Sequence, residues 1–204
     1  RQEQRRELAG MGIRAEDFRD FRLDYYSEQI DRTYGASPRM IMERNLERCR
    51  RFVRDFGGKP ENLLFIGNTG LGKTFLSACI ARTVADGGYS VVYETAVHLF
   101  SCLEEAKFTD SQEAKRQAEK YTACDLLIVD DLGTEMTTQF VSSALYTVLN
   151  DRLLAGSPTV VSTNLQSDEI ARRYSPQIAS RLLGSYRLVA FVGEDIRLQK
   201  ARET

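Results

Sequence analysis

Short apolar runs alternate with amphipathic stretches along most of the chain. Leu63-Leu64-Phe65-Ile66, Val91-Val92-Tyr93, Leu126-Leu127-Ile128-Val129 and Thr159-Val160-Val161-Ser162-Thr163 are too short for buried helices, and their near-continuous apolar character marks strands covered on both faces. They predict strands at 63–67, 90–94, 126–129 and 159–163. The intervening segments change to helical spacing. Phe75-Leu76-Ser77-Ala78-Cys79-Ile80-Ala81 belongs to a helix over 73–86, which the turn Asp86-Gly87-Gly88 ends. Thr95 caps a short helix through Leu103, Ser111 caps another through Tyr121, and apolar positions 141, 145, 148 and 149 mark a helix from Val141 to Leu154. Strands separated by helices require right-handed crossovers and hence a mainly parallel sheet.

Ahead of the first strand, Met42, Leu46, Cys49, Val53 and Phe56 recur at helical spacing. They predict an amphipathic helix from Pro38 to Phe56 whose other side carries Arg44, Arg48, Arg51 and Arg54. Gly57-Gly58-Lys59-Pro60 stops it. The chain therefore divides into an amino-terminal adaptor segment with this helix, residues 1–56, and a core over 57–204, joined too closely for independent domains. It opens at Arg1 inside a charged, helix-compatible stretch, from which a missing amino-terminal part is expected.

The 204 residues, 42% of them hydrophobic, suit one well-packed domain, and no apolar run has membrane-spanning length. Charge changes the picture little: 28 basic and 29 acidic residues give a net −1, which does not advertise a polyanionic partner. Its distribution is uneven, with Arg1, Arg5, Arg6, Arg14, Arg19 and Arg22 clustered early and a second basic stretch over Arg39 to Arg54; solvated helix faces explain both. Cys49, Cys79, Cys102 and Cys124 form no C-x-x-C pair and have only His98 as an imidazole companion. Reduced cysteines in a cytoplasmic protein are expected, not a disulfide framework or structural zinc site.

The chemistry starts where the first strand meets its helix. Gly67-Asn68-Thr69-Gly70-Leu71-Gly72-Lys73-Thr74 has the spacing and flanks of a phosphate-binding loop. Glycines let successive N–H groups face phosphates, the helix N-terminus adds its positive end, Lys73 reaches the β/γ-phosphates and Thr74 offers a hydroxyl to Mg²⁺. Asp130-Asp131-Leu132-Gly133 closes the third strand, at the sheet end that lines ligand crevices in open α/β folds. Asp130 is assigned to Mg²⁺, directly or through water, and Asp131 to the attacking water. Glu135 is either a reserve carboxylate or an exposed turn acid or helix cap. Asn164 can touch the γ-phosphate or hold water, and equally suits a cap or turn. Local physics does not separate Arg181 and Arg197 from packing or salt-bridge residues.

The ordered set resembles the AAA+ ATPases of the bacterial helicase-loader family, the DnaC/DnaI-like proteins, and less closely the insertion-sequence transposition ATPases. The resemblance rests on Phe21-Arg22-Leu23-Asp24-Tyr25-Tyr26, Gly67 through Thr74, Leu126 through Glu135, Ser162 through Leu165, Ser180 through Gly184 and Asp195 through Arg197. It implies an α/β P-loop ATPase with a mainly parallel five-stranded sheet flanked by helices, binding ATP with Mg²⁺. It also implies Asn164 as sensor one, Arg181 as an arginine finger donated to a neighbouring subunit and Arg197 as a sensor-two-like arginine. The partners it implies are a replicative helicase, single-stranded DNA and further copies of the chain, with a helicase-binding amino-terminal region outside this sequence. So few residues follow Arg197 that a large carboxyl-terminal helical lid is not expected. Asp131 stands where many AAA+ proteins carry Glu, and its shorter reach points to slow or partner-stimulated hydrolysis. A transposition helper ATPase assembling on DNA, or a nucleotide-gated interaction module with little hydrolysis, are the alternatives. Lys107, Lys115 and Arg116 are the candidate contacts to single strands.

Overall fold

The computed structural model describes residues 16–58 and 61–202, so Arg1, Arg5, Arg6, Arg14 and the Lys59-Pro60 part of the helix stop lie outside the described residues. Two 3₁₀ turns, Phe18–Asp20 and Leu23–Tyr25, lead into helix α1 (Pro38–Arg54). Strand β1 (Leu63–Ile66), α2 (Lys73–Asp86), β2 (Val91–Thr95), α3 (Ala96–Phe108), α4 (Gln112–Ala123) and β3 (Leu126–Leu132) follow. The chain continues through α5 (Gln139–Ala155), β4 (Thr159–Thr163), α6 (Ser167–Arg173), α7 (Pro176–Ser185), β5 (Arg187–Ala190) and α8 (Ile196–Arg202). The five strands are parallel, in the order β2-β3-β4-β1-β5.

Residues along each strand alternate between two cores. Leu64, Ile66, Val92, Leu127, Val129 and Val161 face α3, α4, α5 and the α6–α7 pair. On the other side Leu63, Phe65, Tyr93, Leu126, Ile128 and Val160 pack with α1, α2 and the amino-terminal Phe18, Phe21 and Tyr26. Helix α1 begins where Ser37 accepts the Met40 N–H and Pro38 occupies the first turn, a placement that costs no helical hydrogen bond. Met42, Leu46, Cys49 and Phe52 are its buried apolar residues, while Val53 and Phe56 sit at the margin of the core. Its Asn45 amide donates to Ala190 O at 2.7 Å, occupying one acceptor beside edge strand β5.

Three features depart from the sequence pattern. Strand β5 is a fifth strand that the apolar runs do not announce, because Arg187 and Leu188 are exposed. Strand β3 continues past Val129 to Leu132, so Asp130 and Asp131 lie inside it. Arg152 is fully buried on the apolar face of α5 and donates to Tyr121 O, Cys124 O, Pro158 O and Thr159 Oγ1, all within 2.7–3.0 Å. With no carboxylate partner among the described residues, it satisfies carbonyls at the end of α4 and just ahead of β3 and β4, at the end of the sheet opposite the phosphate loop.

Candidate nucleotide site

The loop Gly67–Thr74 leaves the carboxyl end of β1, between β4 and β5, and enters α2. Gly72 takes the left-handed conformation at φ 91°, and a Cβ there would meet the Phe21 ring at 2.9 Å and the Tyr26 hydroxyl at 3.0 Å. Glycine satisfies both demands at once. Tyr26, itself buried, donates its hydroxyl to Leu71 O at 2.8 Å, so the amino-terminal segment braces the loop from outside. No backbone N–H from Asn68 to Thr74 has a backbone acceptor among the described residues. A run of free donors at a helix N-terminus is the donor set that phosphate oxygens fit. Beside the loop a cleft of about 730 Å³ opens between residues 24–39 and 190–194, with Tyr25, Ile30 and Tyr34 among its walls. That volume accepts a nucleoside.

Lys73 is buried, 5% exposed, and its ammonium donates to Gly67 O at 2.6 Å, Asn68 O at 2.7 Å and Asn164 Oδ1 at 2.7 Å. Asn164, just past the end of β4, is thereby joined to the loop. Burial pulls the ammonium below the ordinary lysine range against the opposing pull of Asp131 and Asp130, and Arg197 adds to the lowering.

The two acids have different surroundings. Asp130 is buried and accepts from Tyr93 Oη at 2.6 Å and from the Ser162 hydroxyl. Burial and the Asp130 charge push Tyr93 well above its usual range, so it remains a donor. Asp131 follows at a bulge, where the pairing of β3 with β4 slips between Val129 and Leu132. Its φ of 55° makes it the one non-glycine residue with positive φ among the described residues. Ser162 Oγ accepts the Asp131 N–H at 2.9 Å while donating to Asp130, so one hydroxyl fixes both acids. Burial raises the Asp131 carboxyl above the usual carboxylate range and Asp130 adds to it, with Lys73 and Arg197 opposing. The bulge turns the second acid out of the strand's alternation, a common use of this device beside reactive centres.

Arg197 lies on α8, whose first residue donates its N–H to Gly70 O at 2.9 Å. Its charge is felt at both Lys73 and Asp131. Arg181 is placed differently. On α7, it donates to Asn150 Oδ1 at 2.7 and 3.1 Å and to Tyr146 Oη at 2.8 Å, with its guanidinium 4.4 Å from the Tyr146 ring centroid. These partners all belong to α5. Glu135 is buried and not an exposed turn acid: it accepts the Gly133 N–H and the Tyr174 hydroxyl, tying the loop after β3 to the residue that caps the end of α6. Lys107 on α3 sits over the Phe108 and Phe140 rings, Lys115 on α4 pairs with Asp110 at 3.5 Å, and Arg116 is exposed.

Sequence reasoning had no role for Tyr93, Tyr26, Asn150 or the Ser162 hydroxyl. The signal at Ser162 was a polar residue within a strand buried on both faces, which calls for a partner. The others act across the fold, and no local pattern marks them.

The chain is similar to the replicative helicase loader DnaC of Escherichia coli (strain K12), 23% identical over 153 residues that cover 74% of this chain and 62% of that protein. With the replicative helicase loader DnaI of Bacillus subtilis (strain 168) it shares 31% identity over 119 residues, 58% of this chain and 38% of that one. The chain thus spans less than two thirds of the length of either relative. A crystal structure of DnaI superposes with a TM-score of 0.69 at 21% identity, covering 90% of this chain and 92% of that one. A crystal structure of the DnaC helicase loader gives 0.67 at 19% identity, with 86% and 98% covered, so the fold is shared. The family described as IstB-like ATP binding protein matches residues 17–204. Phosphate loop, paired acids and parallel five-stranded sheet together agree with that match: the chain belongs to the IstB and DnaC/DnaI-like family of AAA+ ATPases.

Proposed function

We propose that this chain is a cytoplasmic, ATP-driven assembly factor that loads a replicative helicase onto single-stranded DNA. The observation that carries the reading is the Lys73–Asn164 hydrogen bond, which joins the phosphate loop to the tip of β4 beside the two acids. The four cysteines are free and buried, in keeping with a reducing compartment. Among the described residues no helix is long and apolar enough to cross a membrane.

Free N–H groups of residues 68–74 receive the phosphates, and Lys73 turns from the loop carbonyls to the β/γ-phosphate oxygens. Thr74 and Asp130 supply hard oxygens of the kind Mg²⁺ prefers, and the ion would neutralise phosphate charge there. Hydroxyls of Ser162 and Tyr93 hold and aim the Asp130 carboxylate. Asp131, its carboxyl raised by burial and by the neighbouring Asp130 charge, accepts a proton from the attacking water, whose oxygen bonds the γ-phosphorus as the bond to the β–γ bridging oxygen breaks, leaving ADP and phosphate. Asn164 orients that water or phosphate, Arg197 balances charge on the same site, and Arg181 reaches the site of a neighbouring copy. Nucleotide state then sets the arrangement of copies that grips helicase and DNA.

A second reading has support of its own. An insertion-sequence ATP-binding protein of Pseudomonas aeruginosa is 26% identical over 163 residues, covering 76% of this chain and 61% of that one, which favours a transposition helper assembling on DNA. Phosphate release by the full chain with single-stranded DNA, duplex DNA and candidate helicase added separately decides between them. Loading predicts stimulation by single strands and helicase. Stimulation by duplex alone, with no helicase complex, favours the helper, and tight ATP binding without phosphate release under every condition leaves a nucleotide-gated interaction module.

A further inference from the structure

Asp195 precedes α8 and presses its side chain on the phosphate loop. A Cβ built on Gly70, at φ 76°, would lie 1.9 Å from Asp195 Oδ1, so only glycine leaves room for the carboxylate. The same oxygen accepts the Arg197 N–H at 2.9 Å, while the Ile196 N–H donates to Gly70 O at 2.9 Å. One hydrogen bond and one tight contact therefore join the start of α8 to the middle of the loop, and the second hydrogen bond ties Asp195 to the Arg197 backbone. The Arg197 side chain is 72% exposed, with its Nε 3.9 Å from Asp195 Oδ1. A long exposed arginine samples many rotamers, so its usefulness at a nearby phosphate depends on how firmly its backbone is placed.

We propose that Asp195 is a positioning residue for Arg197, holding the start of α8 on Gly70 so that the guanidinium is delivered toward the terminal phosphate of a bound nucleoside triphosphate. Nucleotide and α8 then sense each other through one glycine: what moves Gly70 moves Arg197. A carboxylate this close to a phosphate-binding loop opposes anion binding on charge grounds, so its place there is explained by what it holds. The inference rests on reading residues 67–74 as an ATP phosphate loop.

Calorimetric titration of the full chain with Mg-ATP and with Mg-ADP tests it in four variants: Asp195→Ala, Asp195→Asn, Arg197→Ala and the Asp195→Ala/Arg197→Ala pair. Losing a charge-assisted bond to the terminal phosphate should weaken ATP about tenfold more than ADP in Arg197→Ala. Asp195→Ala should reproduce that selective loss, and Asp195→Asn should stay near wild type because its amide oxygen still accepts the Arg197 N–H. The double variant should be no worse than Arg197→Ala alone, since residues acting through one contact are not additive. Multiplying losses in the double variant, equal weakening of ATP and ADP by Asp195→Ala, or an Asp195→Asn as impaired as Asp195→Ala would each overturn the proposal. Wild-type protein that binds neither nucleotide would overturn the phosphate-loop reading along with it, whereas normal wild-type binding with any of those three patterns overturns this inference alone.

Discussion

Lys73→Met separates what the site does from what holds the fold. Methionine nearly preserves the volume of the buried stem and removes the ammonium with its bonds to Gly67 O, Asn68 O and Asn164 Oδ1. A hydrogen bond to a charged group contributes about 1.5–3 kcal/mol, so losing one such contact to the phosphates should weaken Mg-ATP binding roughly 10- to 150-fold. Stability should respond quite differently. Burial already disfavours the Lys73 charge, as its lowered pKa records, so deleting the cation relieves that cost while forfeiting three bonds to loop acceptors. The two nearly offset, and a melting temperature within about 3 °C of wild type, equivalent to roughly 1 kcal/mol, is expected without nucleotide. Isothermal titration and a thermal melt of the same preparation read both quantities. Unchanged ATP affinity would remove Lys73 from the phosphate site, and a much larger fall in melting temperature would show that its bonds are structural.

The remaining expectations concern turnover. Asp131→Asn should retain ATP binding but lower hydrolysis by about 10²–10⁴-fold; because burial and Asp130 raise the Asp131 carboxyl, wild-type kcat should fall as pH drops through that raised value, above the ordinary Asp range. The variant should lack this acid limb, and a limb that survives it would assign the proton acceptor elsewhere. Arg181→Ala should bind ATP normally and lose about 10³-fold in hydrolysis as an assembly, and mixing it with Lys73→Ala chains should restore part of the rate, read as phosphate release. Mixed oligomers without recovery would confine Arg181 to its contacts with Tyr146 and Asn150.

The legible parts of this fold are those in which one residue reports its own surroundings. Leu63–Ile66 and Thr159–Thr163 are buried along their whole length and read directly as central strands. Thr95 and Ser111 each cap a helix with their own side chain, a rule contained within four residues. Strand β5 was illegible because it is an edge: only Val189 is fully buried, and the exposed Arg187 and Leu188 erase any period. Motif position singled out Lys73, the two acids and Asn164, while the contacts that fix them stayed hidden. Tyr93 reaches Asp130 from 37 residues away, Tyr26 reaches Leu71 from 45, and Asn164 reaches Lys73 from 91, so none of these pairs exists until the sheet has closed. The burial of Glu135 was hidden for the same reason, since Tyr174, whose hydroxyl its carboxylate accepts, comes from the end of α6.

The left-handed backbone at Asp131 bears on why a short acid stands where many AAA+ proteins carry a longer one. Positive φ is tolerated by aspartate and asparagine, whose compact polar side chains can bond locally, and it strains most other residues by about 1–3 kcal/mol. Lengthening the acid by one methylene would thus strain the bulge that aims it before any benefit of longer reach appeared. Side-chain length and bulge are an epistatic pair: a lineage could exchange Asp for Glu here only by repacking β3 against β4 in the same step, and the slower, partner-dependent chemistry proposed for this chain would be inherited with its backbone.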